Sequence, residues 1–454
     1  MAVRISILDS PSYEQRNGGR TMFQTYNEAL HWIHSRLRLG MKPGLKRMEW
    51  MLEQLGHPER NIRSIHIGGT NGKGSTTSFL RSILQEAEYM VGTFTSPYIE
   101  TFNERISING RPISDEDILI AANKIKPLAD ELEKTELGGP TEFEIITTMA
   151  IYYFGMMQPV DVVIFEVGLG GRFDSTNVIH PMLSIITNVG YDHTNILGST
   201  LQEIAKEKAG IIKNGVPVIT GTNNEEALEV IIATALEKKS RLFVLGDHFA
   251  IQNYKPTQEG EQFSFQSLFV TYHDLITTMK GKHQTENASL AVMAAVYLKT
   301  FFAFLIEEEH IRNGIQSMYW PGRFEVLNEH PLVIVDGAHN PEGIERLLET
   351  IIHHYPDRKI HFLFTALDDK NIVEMIRKLD EYAESIAFTE IDMPRASKAD
   401  KLYEKSNSKE KRLVIDWKEY LDGSIKNLTN GDLLVVTGSL YFISDVRKYL
   451  KNKK

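Results

Sequence analysis

No cysteine occurs anywhere in the 454 residues. That absence excludes disulfides, thiolate metal ligands and cysteine nucleophiles, and it fits a reducing compartment. Long hydrophobic runs are missing too. Nothing approaches the roughly 18 apolar residues of a membrane-spanning helix, and the first stretch, "MAVRISILDSPSYEQ", has no apolar signal core. Positive charge is in deficit, 50 Lys and Arg against 60 Asp and Glu, for a net charge of −10. Such a balance disfavours nonspecific binding to nucleic acid or acidic membranes, yet leaves room for a local basic pocket that takes a small anion. A cytoplasmic protein acting on small molecules, with no nucleic-acid or membrane partner, is the expectation.

The chain is long enough, at 42% hydrophobic residues, to bury more than one core. Apolar runs alternate with helix-like stretches for most of its length, which predicts an α/β architecture with mostly parallel sheets. The runs are "VDVVIFEV" (160–167), "LSIITNV" (183–189), "VPVIT" (216–220), "LVIVD" (332–336), "IHFLFTAL" (360–367) and "DLLVVTG" (432–438). Between Phe243 and Thr278 shorter alternating pieces predict a small antiparallel excursion, and helix resumes with "NASLAVMAAVYLKTFF". Two prolines and a glycine in "YWPGRFEVLNEHP" (319–331) mark a boundary. The expectation is a first domain over 1–321 and a second, of four strands and their helices, over 322–454. The polar stretch "RASKADKLYEKSNSKEKR" (395–412) reads as a solvated helix or loop.

The most informative stretch is "IHIGGTNGKGSTTSFLRSIL", which reads as strand, glycine loop, helix. Such a loop presents free backbone N–H groups and a helix N-terminus to phosphate, with Lys73 as a mobile charge. It departs from the ordinary G-x-x-x-x-G-K-[ST] loop: Ile67 stands at the first glycine, and Gly74 stands where a hydroxyl belongs. A plain βα turn is the alternative. Glu166 lies inside an apolar strand near its C-terminal end, where a carboxylate needs a partner or a cation. Asp192 and His193 follow the next strand, Ser96 sits in the turn "TSP", Lys206 and Lys208 lie in "KEKAGI", and Asp336, His339 and Asn340 lie in "VDGAHNPEG". Each has a bland reading as turn, solvated charge or helix cap.

Taken in order, "GTNGKGS", "TSP", "FNERI", "TEFE", "EVGLGGRFDSTN", "DHTNILG", "EKAGI", "GKHQTENA", "PGRFE" and "DGAHNP" resemble the folylpolyglutamate synthase and dihydrofolate synthase family, a branch of the Mur-type ATP-dependent amide ligases. The resemblance runs from about residue 20 to "TGSLYF". It implies a P-loop-type ATPase domain with a mostly parallel sheet and a smaller Rossmann-like α/β domain behind it. Further, it implies that Asn71, Gly72, Lys73, Gly74, Ser75 and Thr76 cradle ATP phosphates, with Asn287, Arg323 and Asp336 contacting ATP from the domain interface. Ser96, Glu166 and His193 would coordinate Mg²⁺, and Lys208 would do so as a carbamate; a monovalent cation is a further expectation. Thr141, Glu142, Phe143, Glu144, Phe173, Asp174 and Ser175 would line the folate site, and His339 would lie near incoming glutamate. Lys73, Lys208 and His339 are then the expected catalytic set, in a monomer.

The implied reaction activates the γ-carboxyl of a folate as an acyl phosphate, which the amine of L-glutamate displaces. A peptidoglycan-precursor Mur ligase is the alternative, but only 67 residues precede Gly68, too few for a nucleotide-sugar domain. "TEFE" is nearer to members that only extend tetrahydrofolate than to those that also use dihydropteroate, and that second activity stays open.

Overall fold

The computed structural model describes residues 22–40, 42–393 and 395–453. Eight strands make the first sheet: β1 (Ser64–Gly68), β2 (Val91–Phe94), β3 (Ile106–Ile108), β4 (Arg111–Pro112), β5 (Val162–Glu166), β6 (Leu183–Ile186), β7 (Val218–Thr220) and β8 (Leu242–Val244), in the order β4-β3-β2-β5-β1-β6-β7-β8. All pairs from β2 to β8 are parallel, and β3 and β4 add an antiparallel edge. β1 and β5 are buried at every residue, as strands covered on both faces must be. One face is covered by the helix Lys73–Glu86 and the long helix Lys282–Phe302. The other carries the helices Tyr26–Ser35, Lys46–Gln54, Asp115–Leu132 and Glu142–Tyr152. Phe79, Leu80, Ile83 and Leu84 are fully buried on the first of these helices, each contributing roughly 1.5–3 kcal/mol. The helix that starts at the glycine loop is therefore fixed in place by its apolar stripe.

The antiparallel excursion is a three-stranded sheet of β9 (Phe249–Pro256), β10 (Glu261–Ser267) and β11 (Thr271–Thr277). Phe249, Phe263, Phe265 and Leu275 pin it to the core under Lys282–Phe302.

The second domain holds six strands where the sequence suggested four: β12 (Glu325–Glu329), β13 (Leu332–Val335), β14 (Lys359–Phe364), β15 (Ala383–Phe388), β16 (Lys411–Leu413) and β17 (Asp432–Thr437), ordered β12-β13-β17-β14-β15-β16. The extra strands escape pattern reading for physical reasons. β12 and β16 are edges, and β12 alternates buried and exposed residues inside the supposed linker. β16 falls in the polar stretch, with its side chains exposed or half-buried, and is preceded by the helix Ala399–Lys405. Charged side chains on an edge strand are a common protection against further pairing. Among the described residues no helix is long and apolar enough to cross a membrane.

Candidate active site

The carboxyl ends of β1, β2, β5 and β6 open onto one cleft, where ligands of open α/β sheets bind. Register brings their tips level: Ile67 lies beside Glu166, and Gly68 beside Ile186. The loop after β1 is held by backbone conformations and approaches that side chains would block. Gly72 has φ +80 with Asn287 Oδ1 only 2.2 Å from where a Cβ would stand, and Gly69 has φ +146 against Thr187. Gly74 has a different reason. A Cβ there would meet the Trp320 indole at 3.0–3.1 Å, so the departure from the ordinary loop makes room for an aromatic ring arriving from the interdomain segment. Lys73 Nζ donates to the carbonyls of Gly69 (3.0 Å) and Thr70 (3.2 Å). Burial lowers its pKa, while Glu166 and Asp192 pull the other way. Ser75 and Thr76 are buried in the first turn, and Thr76 Oγ1 lies 3.5 Å from Asn287 Oδ1.

Across the cleft floor sits Glu166, 4% exposed. Burial pushes its carboxyl up to about 7, although Lys73 and the Ser96 N–H, which donates to Oε2 at 3.3 Å, draw it down. A carboxylate so poorly compensated is one that a cation would stabilise. Lys208 lines the same cleft and is 3% exposed. Burial, with Lys73 adding repulsion, lowers its amine to about 7. The solvated reading of this residue is thereby excluded, whereas its neighbour Lys206 is exposed.

The second domain supplies the far wall. Asp336 accepts the N–H groups of Phe324 and Ala338, both at 2.8 Å, and so ties the turn that carries Arg323 to the strand end. Burial raises its pKa, and Arg323 opposes this most strongly. His339 Nδ1–H donates to the Gly337 carbonyl at 2.8 Å, which leaves Nε2 facing Asp192 Oδ2 at 3.7 Å. Burial takes His339 down to about 4, so the ring is neutral at pH 7. Asn340 caps the helix Pro341–His354 through Gly343 N and also donates to Asn71 Oδ1 at 2.9 Å. In return, Asn71 donates to Glu342 Oε2 at 3.1 Å.

His193 and Glu166 were expected to share one metal. The structure instead turns His193 toward the second domain: Nε2 accepts from Lys370 Nζ at 3.2 Å, and Nδ1 is 3.7 Å from Asp369. Lys370 also donates to Asp192 Oδ1 at 2.6 Å, both groups being buried. Against the upward push of burial, Lys370, His339 and His193 hold Asp192 well below the carboxylate range. His193 itself has φ +49, an uncommon conformation for a non-glycine residue that often accompanies functional sites. Among the described residues no three His, Asp or Glu side chains are grouped to hold a metal. Glu166, beside the Ser96 backbone, fits a divalent cation; His193 fits one only after its Nε2 lone pair is released from the Lys370 ammonium. Lys370 and Trp320 escaped sequence reading. "TALDDK" follows a strand, the one signal that could have flagged Lys370.

The segments expected to line a folate site are partly committed to structure. Thr141 and Glu144 form a reciprocal cap on the helix Glu142–Tyr152, and Glu144 is also paired with Arg47 at 2.9 Å. Glu142 meets His34 Nδ1 at 2.9 Å. Asp174 caps the short turn Ser175–Val178 and accepts the Leu169 N–H at 2.8 Å. Phe143 packs over Gly168, where a Cβ would stand 2.5 Å from its ring. Phe173, 46% exposed, lies under the Arg172 guanidinium.

Residues 119–295 match the Mur ligase middle domain, and residues 322–440 match the Mur ligase glutamate ligase domain. Over 434 residues the chain is 49% identical to the dihydrofolate synthase/folylpolyglutamate synthase of Bacillus subtilis, spanning 95% of this chain and 100% of that protein. The chain belongs to the dihydrofolate synthase/folylpolyglutamate synthase family. Solved structures share the fold of this ligase. A folylpolyglutamate synthase of Mycobacterium tuberculosis complexed with ADP and AMPPCP superposes with a TM-score of 0.87 at 29% identity, over 94% of this chain and 99% of that one. A folylpolyglutamate synthase complex with AMPPCP and folate gives 0.83 at 33% identity, over 94% and 100%. Like them, the ligase has a large, mostly parallel sheet in its first domain and a separate, smaller α/β domain behind it.

Proposed function

We propose that this ligase uses ATP to join L-glutamate to the γ-carboxyl of tetrahydrofolate, in a first domain ending near 321 and a second beginning near 322. The observation that carries the proposal is the cleft itself: Glu166 and Lys208, both buried, and half-buried Lys73 face Arg323 and His339 of the other domain. The near-complete span of folate-ligase relatives favours this reading over the peptidoglycan-precursor alternative.

In the proposed reaction, a γ-carboxylate oxygen attacks the γ-phosphorus of ATP, the bond to the bridging oxygen breaks, and ADP leaves with that electron pair. The amine of glutamate then attacks the acyl carbon and expels inorganic phosphate. No protein nucleophile is required. Asn71 to Thr76 hold the phosphates, and Lys73 offsets charge on the transferred phosphoryl group. Asn287 and Arg323 contact ATP from the interface, where Asp336 holds Arg323's turn. Mg²⁺ would be held by Ser96 and Glu166, with His193 joining once Lys370 releases its Nε2, and would supply further charge stabilisation when bound. Lys208, whose pKa burial lowers to about 7, has at neutral pH a substantial share of the free amine that addition of CO₂ needs, and as a carbamate it becomes an anionic ligand. Neutral His339 offers a lone pair rather than a repelling charge to the incoming ammonium. Phe143 and Phe173 line the pterin side, a monovalent cation assists, and the enzyme works as a cytoplasmic monomer.

Mass analysis of the product tests the proposal. Tetrahydrofolate incubated with ATP and glutamate gains one glutamyl residue, and a parallel reaction with dihydropteroate decides the second activity. An unchanged tetrahydrofolate mass with active, folded enzyme rejects the proposal.

A further inference from the structure

Behind the wall formed by Pro97, Ile99 and Trp320, which also line the cleft, lies a second cavity between the helix Lys73–Glu86, the β2 to β4 edge and the last helix, Leu440–Lys451. Its charges are unevenly matched. Arg447 pairs with Glu325 and Glu100, Lys451 pairs with Glu100, and Glu104 is occupied by the N–H groups of Ile99, Glu100 and Thr101. Arg81 is the exception. Burial lowers its pKa with no carboxylate opposing the shift, and among the described residues its buried Nε has no hydrogen-bond partner and its one hydrogen bond runs from Nη2 to Ser78 Oγ at 3.0 Å. The fold makes room for it: Gly110 has φ +72, and a Cβ there would stand 2.4 Å from Arg81 Nη1. Arg81 is half-buried, and a guanidinium partly withdrawn from water without an anion is costly, while its planar fork matches a carboxylate.

We propose that Arg81 binds an α-carboxylate of a γ-linked glutamyl chain whose end reacts in the neighbouring cleft. This rests on the ligase reading given above. A chain of several glutamates carries one α-carboxylate per residue, and those not reacting have to lie outside the phosphate site. Arg81 is seven residues beyond Gly74 on one helix, about 10 Å along its axis, a span that a short γ-linked chain covers. Glu86 and Glu100 on the rim would repel a dianionic phosphate more than a single carboxylate, and the wall hydroxyls of Ser107 and Thr95 already donate to the Glu104 carbonyl, which leaves the guanidinium to take the anion.

Binding without turnover separates this idea from the ligase reading. Wild-type enzyme, saturated with AMPPCP, is titrated calorimetrically with γ-glutamylglutamate, with free L-glutamate and with inorganic phosphate. The dipeptide should bind, phosphate should not, and Arg81→Met should weaken the dipeptide at least tenfold with AMPPCP affinity unchanged. In turnover, Arg81→Met should raise KM for a tetrahydrofolate triglutamate while leaving KM for the monoglutamate and kcat in place. Should the variant fail to fold, a wild-type crystal soaked with dipeptide decides, because density must join a carboxylate to Arg81. Phosphate bound in preference to the dipeptide, equal dipeptide affinity in the variant, or a dipeptide seated elsewhere overturns the proposal.

Discussion

Glu166 and Lys208 carry opposite pH signatures, and both can be read in stability. The folded pKa of Glu166, about 7, lies above its ordinary 4.5. Between those values the folded enzyme binds more protons than the unfolded chain, so this residue costs stability as pH rises through the window. Glu166→Gln should therefore melt higher than wild type at pH 8 without divalent ions, differ little at pH 4, and lose most of the stabilisation that Mg²⁺ with nucleotide gives wild type. Equal Mg²⁺ responses would remove Glu166 from the metal site. For Lys208 the folded value, about 7, lies below the ordinary 10.5, so the unfolded chain binds the extra proton and stability rises with pH across that interval. Lys208→Met should stabilise the metal-free, CO₂-stripped protein at pH 7 by on the order of 2–4 kcal/mol, while turnover falls on the order of 10²–10³-fold. Lys208→Arg, which keeps charge but accepts no CO₂ in the same way, should be equally inactive.

Elements explain what single residues do not. The strand, glycine loop and helix were legible because they follow from local pattern, yet the reason for Gly74 lay 246 positions away, in a tryptophan that only the tertiary fold brings near. Gly74→Ser, which restores the hydroxyl of the ordinary loop, should lower stability by about 1–3 kcal/mol through overpacking and raise KM for ATP; adding Trp320→Leu should recover part of the loss in a urea titration. "TEFE" shows the converse. The resemblance placed it at the folate site, while the structure also uses Thr141 and Glu144 as a helix cap. Thr141→Ala should cost about 1 kcal/mol of stability, whereas Phe143→Ala should act mainly on KM for folate. Edge strands β12 and β16 were illegible because edges tolerate polar residues, and Lys370 because its partners belong to the other domain.

At the scale of the whole molecule, the cleft is assembled by contacts between domains: Asn71 with Asn340 and Glu342, Asn188 with Glu342, and Asp192 with Lys370. Catalysis by positioning depends on such closure. Removing one partner of the buried Asp192–Lys370 pair leaves a charge uncompensated, at a cost of about 3–5 kcal/mol. Lys370→Met should accordingly enlarge the radius seen by small-angle scattering and raise KM for glutamate, and Asp192→Asn in the same chain should restore compactness without restoring rate. The account's central claim is that this cleft couples ATP cleavage to amide formation between a folate and glutamate. Its most direct test is ADP release by the purified enzyme with each substrate withheld in turn. The account predicts rapid release only when tetrahydrofolate and L-glutamate are both present, one ADP per glutamyl residue added, and loss of that release in Lys73→Ala. ADP release indifferent to both substrates, or undiminished in Lys73→Ala, would contradict it.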